Sequence, residues 1–411
     1  MNNYTDIKKC RLCESFDLLE VINLGNQPLA NNLQSIKNAE IKKYPLVLCK
    51  CQKCHTLQLS ITVKPEILFR DYVWVTGTSK VANDYSKKFF SEASKYLDNN
   101  HELVIEIASN DGTFLKQFHK NGFNVLGVDP AENIAKLANQ SGIRTLPDFF
   151  NFEKSNEIRA KYGEAGLIFA RNVIPHVPDA KGIIEGIANC LKKGGIGIIE
   201  FHRADIILKE LHYDSIYHEH IFYYSVKSLT KLLNKFSLYP FDLDLSPISG
   251  GSYVLYFSNI KRNKSTALQN AELNEQELGI EDFNSWINFR SKVEKHCSDL
   301  KKILTQFKNK GKKIIAYGAS ARSSTLLNYC QISTESIDLV IDQSNFKHGF
   351  FTAGTKIPIK SPEDGMQSNP DVILLLAWNF KEEIIEQLKS RWKWSGELII
   401  PLPGDPEILK I

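Results

Sequence analysis

The sequence predicts an α/β protein in three parts: a doubly wound, mostly parallel sheet in the middle, a small cysteine-bearing unit before it and a second α/β unit after it. Three observations carry this expectation. Five of the eight cysteines fall within the first 54 residues. From about 85 to 260, short β-rich runs alternate with helix-length segments, the pattern of parallel strands covered on both faces by helices. A second alternation of the same kind closes the chain over its last 100 or so residues. At roughly 100 to 200 residues per domain, 411 residues leave room for two or three cores.

Composition narrows the partners. Lys and Arg number 51 against 47 Asp and Glu, a net charge of +4, so no overall field favours nucleic acid or an anionic membrane. Hydrophobic residues at 43% and charged ones at 24% are ordinary for a globular chain. No apolar run approaches the roughly 20 residues of a membrane helix, and the opening MNNYTDIKKC lacks the apolar stretch of a signal peptide. A cytoplasmic location is expected, and there clustered cysteines read as metal ligands before disulfides.

The first unit, residues 1–75, carries Cys10-x-x-Cys13 and Cys51-x-x-Cys54 with 37 residues between the two pairs. Two such knuckles supply four thiolates to a tetrahedral Zn²⁺ at ligand distances of about 2.3 Å. With every position filled by sulfur, the metal is structural. Cys49 is a spare that could compete as ligand, although C-x-C bites less well than C-x-x-C. A radical iron–sulfur motif, C-x-x-x-C-x-x-C, fails because position 47 is Val.

The second unit, residues 76–262, contains the strand-like runs LVIEIA (103–108), FNVLGVD (123–129), GLIFA (166–170) and GIGIIEF (195–201). The first leads into a tight turn at Asn110, Asp111 and Gly112 and then a helix opened by Thr113. Asp129 ends the second run, 23 residues after Glu106, where a carboxylate of a Rossmann-like sheet meets ribose hydroxyls. G-x-G-x-x-G is absent, so no pyrophosphate is cradled. A cofactor with a ribose but no pyrophosphate fits, and S-adenosylmethionine is the common one. Neither a D/N-P-P-Y motif for amino acceptors nor a Pro-Cys nucleophile is present, which lowers a nucleic-acid acceptor.

After GIGIIEF comes YDSIYHEHIFYYS (213–225), where His218, Glu219 and His220 follow Tyr217. This stretch falls at the carboxyl edge of the sheet, where sites of this architecture lie. It is not H-E-x-x-H, so a zinc protease is unsupported. Methylation at carbon needs a base for a C–H proton, and an imidazole near neutral pH suits that role when an adjacent carbonyl holds the charge. His176, just after GLIFA, adds a further imidazole.

Residues 263–311 contain little Pro or Gly and predict a helical connector, one long helix or two shorter ones. Its lysines, among them Lys292, Lys295, Lys301 and Lys302, are interrupted by Glu294 and Asp299 and have no interleaved aromatics. They read as a solvated helix face, not a nucleic-acid surface. Residues 312–411 then give KKIIAYGAS, IDLVIDQS, DVILLLAWN and ELIIPLP, four more strand-like runs.

Taken together, CRLC (10–13), LGNQPLANNL (24–33), CQKCHTLQL (51–59), EIASNDG (106–112), RNVIPHVPD (171–179), YHEH (217–220), GGS (250–252), TLLNYC (325–330), GTKIPI (354–359) and AWNFKEEI (377–384) resemble the nucleotide-sugar C-methyltransferases. These are S-adenosylmethionine-dependent enzymes acting at C3 of 4-keto deoxysugar nucleotides on the way to branched sugars. The match runs through nearly the whole chain. It implies an N-terminal zinc-binding domain, a central class I (Rossmann-like) methyltransferase domain and a C-terminal second Rossmann-like domain that helps hold the nucleotide sugar. It also implies that His220 is the general base, that Tyr217 and Glu219 orient the base or the sugar, and that His176 and Tyr72 are further active-site positions. The implied cofactor positions are Glu106, Ala108, Ser109, Asn110, Asp111, Gly112, Asp129 and Asn172. Those implied for the nucleotide-diphosphate sugar are Gln27, Asn31, Asn32, Tyr217, Ser249, Arg322, Lys347, Trp378 and Asn379. Three covered lobes make a monomer the expected state.

The chain departs from the family pattern in places. Ala108 stands where Gly is usual, Ser249 where His is usual, Tyr253 and Val254 replace a common Leu-Arg, and Arg322 and Ser323 stand for Lys and Gly. An Arg at 322 could still grip a diphosphate bidentately. The nucleotide carrier and the sugar's C3 substituent stay open, and so does an oxygen or nitrogen acceptor on another small molecule.

Overall fold

The computed structural model describes residues 3–37, 40–64, 67–68, 75–246 and 251–411. The first unit holds β1 (Tyr4–Asp6), β2 (Leu18–Pro28), β3 (Lys43–Cys51), β4 (Leu57–Leu59) and β5 (Ile61–Val63). β2, β3 and β4 form an antiparallel sheet, and β1 pairs with β5. Tyr44, Leu46 and Leu48 alternate inward along β3, the period of two that one buried face imposes.

Next come β6 (Leu103–Ile107), β7 (Asn124–Val128), β8 (Thr145–Leu146), β9 (Ala165–Arg171), β10 (Leu191–His202), β11 (Phe222–Tyr223), β12 (Tyr239–Ser246) and β13 (Ser252–Ser258). Seven of them make the central sheet in the order β12-β13-β10-β9-β6-β7-β8, parallel except for β13, which runs antiparallel to both β10 and β12. All of β6 and nearly all of β9 are buried, so apart from Glu106 and Arg171 these strands read as apolar runs. β6 lies between β7 and β9, and at that switch in strand order a crevice opens beyond the carboxyl ends.

β11 leaves this sheet. It pairs with β4 and becomes the fourth strand of the N-terminal sheet. The segment just after the histidines is thereby sewn into the cysteine-bearing unit.

The connector forms two helices, Thr266–Glu277 and Phe283–Asn309. The longer buries Trp286, Phe289, Val293, His296, Leu300 and Leu304, a stripe at spacings of three and four. His296 ties two units together: Nε2 donates to the Pro401 carbonyl at 2.5 Å, and Nδ1 accepts from the Tyr213 hydroxyl at 3.1 Å.

The last unit contains β14 (Ile314–Tyr317), β15 (Val340–Ile341), β16 (Ile359–Lys360), β17 (Val372–Leu375), β18 (Glu397–Ile400) and β19 (Glu407–Lys410). Their order is β16-β15-β14-β17-β18-β19, with only β19 antiparallel. β16 is two residues long and β19 is mostly exposed, which leaves neither with an apolar run to read. One buried apolar cluster continues through residues of all three units.

Candidate active site

The turn after β6 is held in an unusual shape. Ala108 (φ +52°), Asn110 (φ +51°) and Gly112 (φ +75°) all adopt left-handed backbone. At Gly112 an added Cβ would also come within 2.8 Å of Ile143, so glycine is required there twice over. Asp129, at the end of β7, accepts from the Asn110 and Ala131 amides at 2.8 and 2.9 Å. Asn110 Oδ1 and Asp111 Oδ2 accept from the Thr76 and Gly77 amides, each at 2.9 Å. These side chains pin the turn against the segment that enters the domain.

Within that frame, Glu106 Oε2 and Ser109 Oγ are buried with no hydrogen-bond partner among the described residues. Buried polar atoms seldom go unmatched, so the pair fits a polar cofactor at the switch point. Burial pushes the Glu106 carboxyl well above its usual range, against the pull of Arg171. Asn172, also left-handed at φ +52°, follows β9. Its amide donates to the Glu200 carbonyl at 2.8 Å, and the Glu200 carboxylate pairs with Arg171 at 2.8 Å.

A non-glycine residue at left-handed φ carries strain of roughly 1–2 kcal/mol. Ala108→Gly is therefore expected to stabilise the protein by about 0.5–1 kcal/mol, since glycine's freer unfolded chain offsets part of the relief. Thermal unfolding checks it; a lowered midpoint would show that the alanine is unstrained.

Beyond the strand ends, Tyr217, Glu219, His220 and His176 come together. Tyr217 Oη lies 2.9 Å from His220 Nε2. The His176 and His220 rings meet edge to face at 4.5 Å. His176 Nδ1 is 2.8 Å from the Glu219 carbonyl oxygen, which fixes that nitrogen as the donor. Asn31, from the N-terminal unit, donates to the Glu219 carboxylate at 2.7 Å. Burial lowers the His176 pKa to about 4. His220 is held well below the ordinary imidazole value, first by burial and then by the repulsion its protonated form would meet from Arg322 and from His176 or His202 if they too were protonated. Both rings are neutral at pH 7.

His218 belongs elsewhere. Its Nε2 faces the Tyr44 and Pro45 carbonyls at 3.3 and 3.2 Å, an anchor onto β3. The remaining predicted positions divide. Trp378 is buried, donates from Nε1 to Asp214 at 2.8 Å, and has the Arg322 guanidinium 5.3 Å from its ring. Gln27 is buried with its amide donated to the Leu24 carbonyl at 3.0 Å, while Asn32 and Asn379 are exposed. Lys347 lies within the C-terminal unit, 2.8 Å from the Ala319 carbonyl and 3.2 Å from Asp342. Tyr72 and Ser249 lie outside the described residues. Not singled out by the sequence are His202 and His212, buried rings stacked 6.4 Å apart, with His212 4.7 Å from Trp378. One signal for His202 was available: it is the last residue of a parallel strand, on the edge where ligands bind.

The sulfurs of Cys10, Cys13, Cys51 and Cys54 all lie within 4.8 Å of one another, and Cys49 is not among them. Cys10–Cys54 and Cys13–Cys51 are 3.5 and 3.4 Å apart, close to the roughly 3.8 Å edge of a tetrahedron with 2.3 Å bonds. Arg11 braces the first knuckle by donating to the Leu59 and Ile61 carbonyls at 2.6 and 2.9 Å.

Three family models match in order: a zinc binding domain over residues 10–69, a methyltransferase domain over 80–240 and a C-methyltransferase C-terminal domain over 247–403. The C-methyltransferase NovU of Streptomyces niveus is 30% identical over 408 residues, covering 98% of this chain and 97% of that one. The chain belongs to the C-methyltransferase family. Among solved structures, a magnesium protoporphyrin IX methyltransferase from Synechocystis with bound SAM is 12% identical over 47% of this C-methyltransferase and 88% of its own chain, at a TM-score of 0.34. The PH0226 protein of Pyrococcus horikoshii is 16% identical over 47% and 98%, at 0.36. Likenesses of that degree add no weight to the assignment. S-adenosylmethionine is the cofactor that fits the β6 turn of the C-methyltransferase, and Zn²⁺ fits the four thiolates. Among the described residues, no helix is long and apolar enough to cross a membrane.

Proposed function

We propose that the enzyme methylates C3 of a 4-keto-6-deoxy nucleotide-diphosphate sugar through an enolate, with His220 as the base. One observation carries the reading. His220 is a neutral imidazole whose Nε2 is held by Tyr217 while Nδ1 is buried without a hydrogen-bond partner among the described residues. With Nε2–H donating to the tyrosine oxygen, Nδ1 keeps its lone pair for a substrate proton. The C4 carbonyl acidifies the C3 hydrogen; as His220 takes that proton, the C–H electron pair becomes the enolate double bond and charge moves to the C4 oxygen. S-adenosylmethionine, when bound, supplies the electrophilic methyl group. Tyr217 sets the plane of the His220 ring, and the Asn31–Glu219 bond supports the loop that carries both. Holding the reactants aligned contributes several kcal/mol on effective-molarity estimates. Arg322 and Trp378 support a nucleotide sugar reaching from the C-terminal unit toward His220.

The test is mass spectrometry of the protein incubated with S-adenosylmethionine and a panel of 4-keto-6-deoxy nucleotide sugars differing in base and C3 substituent. One added methyl on a panel member, with S-adenosylhomocysteine appearing in step, is the expected result. Methyl transfer to none of them, with the cofactor bound, would remove the sugar assignment.

A further inference from the structure

An enolate needs a hydrogen-bond donor as much as it needs a base, because in a site shielded from water the charge leaving carbon must settle on an oxygen that something holds. The histidines around the site differ in what their ring nitrogens meet. His176 gives its N–H to the Glu219 carbonyl and His218 to the carbonyls of β3. His212 has no hydrogen bond to either ring nitrogen among the described residues, but its Nε2 lies 3.2 Å from the Glu210 carboxylate as an ion-pair neighbour. His220 is committed to Tyr217 and, on the reading above, to the substrate proton.

His202 is the exception. It is 4% exposed, and neither ring nitrogen has a hydrogen-bond partner among the described residues. Whichever tautomer it adopts, one N–H is buried and uncommitted. The hydroxyl of Ser252, opposite His202 in the β10–β13 pairing, is likewise buried without a hydrogen-bond partner among the described residues. Two such groups side by side mark a place that a polar ligand completes.

The backbone brings this residue to the reaction centre. His176, His202 and His220 stand beside neighbouring chain segments joined in sequence: the Ile221 amide donates to the Pro175 carbonyl at 2.9 Å, the Asn172 amide to Glu200 at 2.8 Å and the Ala204 amide to Tyr224 at 2.9 Å. Arg322 adds a fixed positive charge that both His202 and His220 feel. Burial and that charge keep the His202 ring neutral, so it offers a hydrogen bond without a proton to lose.

We propose that His202 is a second catalytic imidazole, whose neutral N–H donates a hydrogen bond to the substrate carbonyl oxygen on which the enolate charge settles while His220 takes the proton. This rests on the enolate reading above. His202→Phe keeps a flat ring against His212 and removes the donor. It is expected to lower kcat about 100- to 1,000-fold, the effect of removing one such donor, and to slow exchange of the C3 hydrogen with solvent deuterium equally when S-adenosylhomocysteine is bound. KM and S-adenosylhomocysteine affinity should stay within about threefold. His202→Gln, which retains an N–H, should recover about tenfold of the loss.

A His202→Phe protein with wild-type kcat overturns the proposal, as does a loss confined to KM or to cofactor affinity. Should the phenylalanine variant not fold, His202→Leu decides by the same criteria. A wild-type protein that neither exchanges nor methylates any panel sugar removes the enolate reading and this proposal with it. An active wild type beside an unimpaired variant removes this proposal alone.

Discussion

His220→Ala is expected to reduce methyl transfer by about 10²- to 10⁴-fold, the range for a positioned general base, while S-adenosylmethionine binds as before. At 1.36 kcal/mol per factor of ten, this is roughly 3–5 kcal/mol of barrier. Cofactor binding is spared because the β6 turn is braced by Asp129, Thr76 and Gly77, none of which depends on the histidine loop. The pH profile gives an independent check. The folded pKa of His220 is depressed by burial and by His176, His202 and Arg322, so the imidazole stays unprotonated to a pH below the ordinary value of about 6.5. The acid limb of kcat/KM should therefore lie below 6.5 and be absent from the alanine variant. Turnover near the wild-type rate in that variant would remove His220 as the base, and an acid limb above 6.5 would contradict the electrostatics that keep it neutral.

The same depressed groups bear on stability. His176, His202 and His218 each have a folded pKa below the unfolded value, so the unfolded chain takes up more protons as pH falls. Their contribution is present above about pH 6.5 and is lost progressively toward the folded value of about 4 shown by His176 and His218.

Some of this architecture is legible in the sequence for a physical reason. β6 and β9 are buried on both faces, so their runs are apolar apart from Glu106 and Arg171 and need no partner to be recognised. The zinc knuckles are legible because C-x-x-C brings two sulfurs to one ion locally. Cys49 was open as a competing ligand in the sequence, and only the fold places it outside the cluster. Other features depend on pairing and leave little local trace. β11 is two residues long and becomes a strand because β4 lies beside it. His218 and His220 are indistinguishable in Y-H-E-H, yet one ring anchors the loop to β3 and the other faces His176. His212 follows an ordinary helical stretch, and its approach to Trp378 is a contact across 166 residues of chain that no spacing encodes.

Removing the zinc should disable the enzyme without opening any contact to the cofactor turn. Structural zinc in small domains carries apparent binding energies of about 10–16 kcal/mol at neutral pH, as large as the whole stability of a typical domain. The N-terminal unit has few alternatives: three of its five strands are only three residues long, and Cys10 and Cys51 are buried within it. Losing that unit takes β4 from β11, the Tyr44 and Pro45 carbonyls from His218, and Asn31 from Glu219. Those are three of the supports that position the loop carrying Tyr217 and His220. Cys51→Ser, or chelation of the native protein, is expected to release the metal, expose the first 70 or so residues to proteolysis and lower kcat at least about 100-fold, as misplacement by an ångström can. The central sheet keeps its own core and should still bind S-adenosylmethionine. Cys49→Ser, at a buried position outside the cluster, should retain both metal and turnover. Metal content, limited proteolysis and kcat on the three proteins decide the matter: a zinc-free enzyme working at the native rate would mean that the sulfur cluster does not hold the loop carrying Tyr217 and His220 in place.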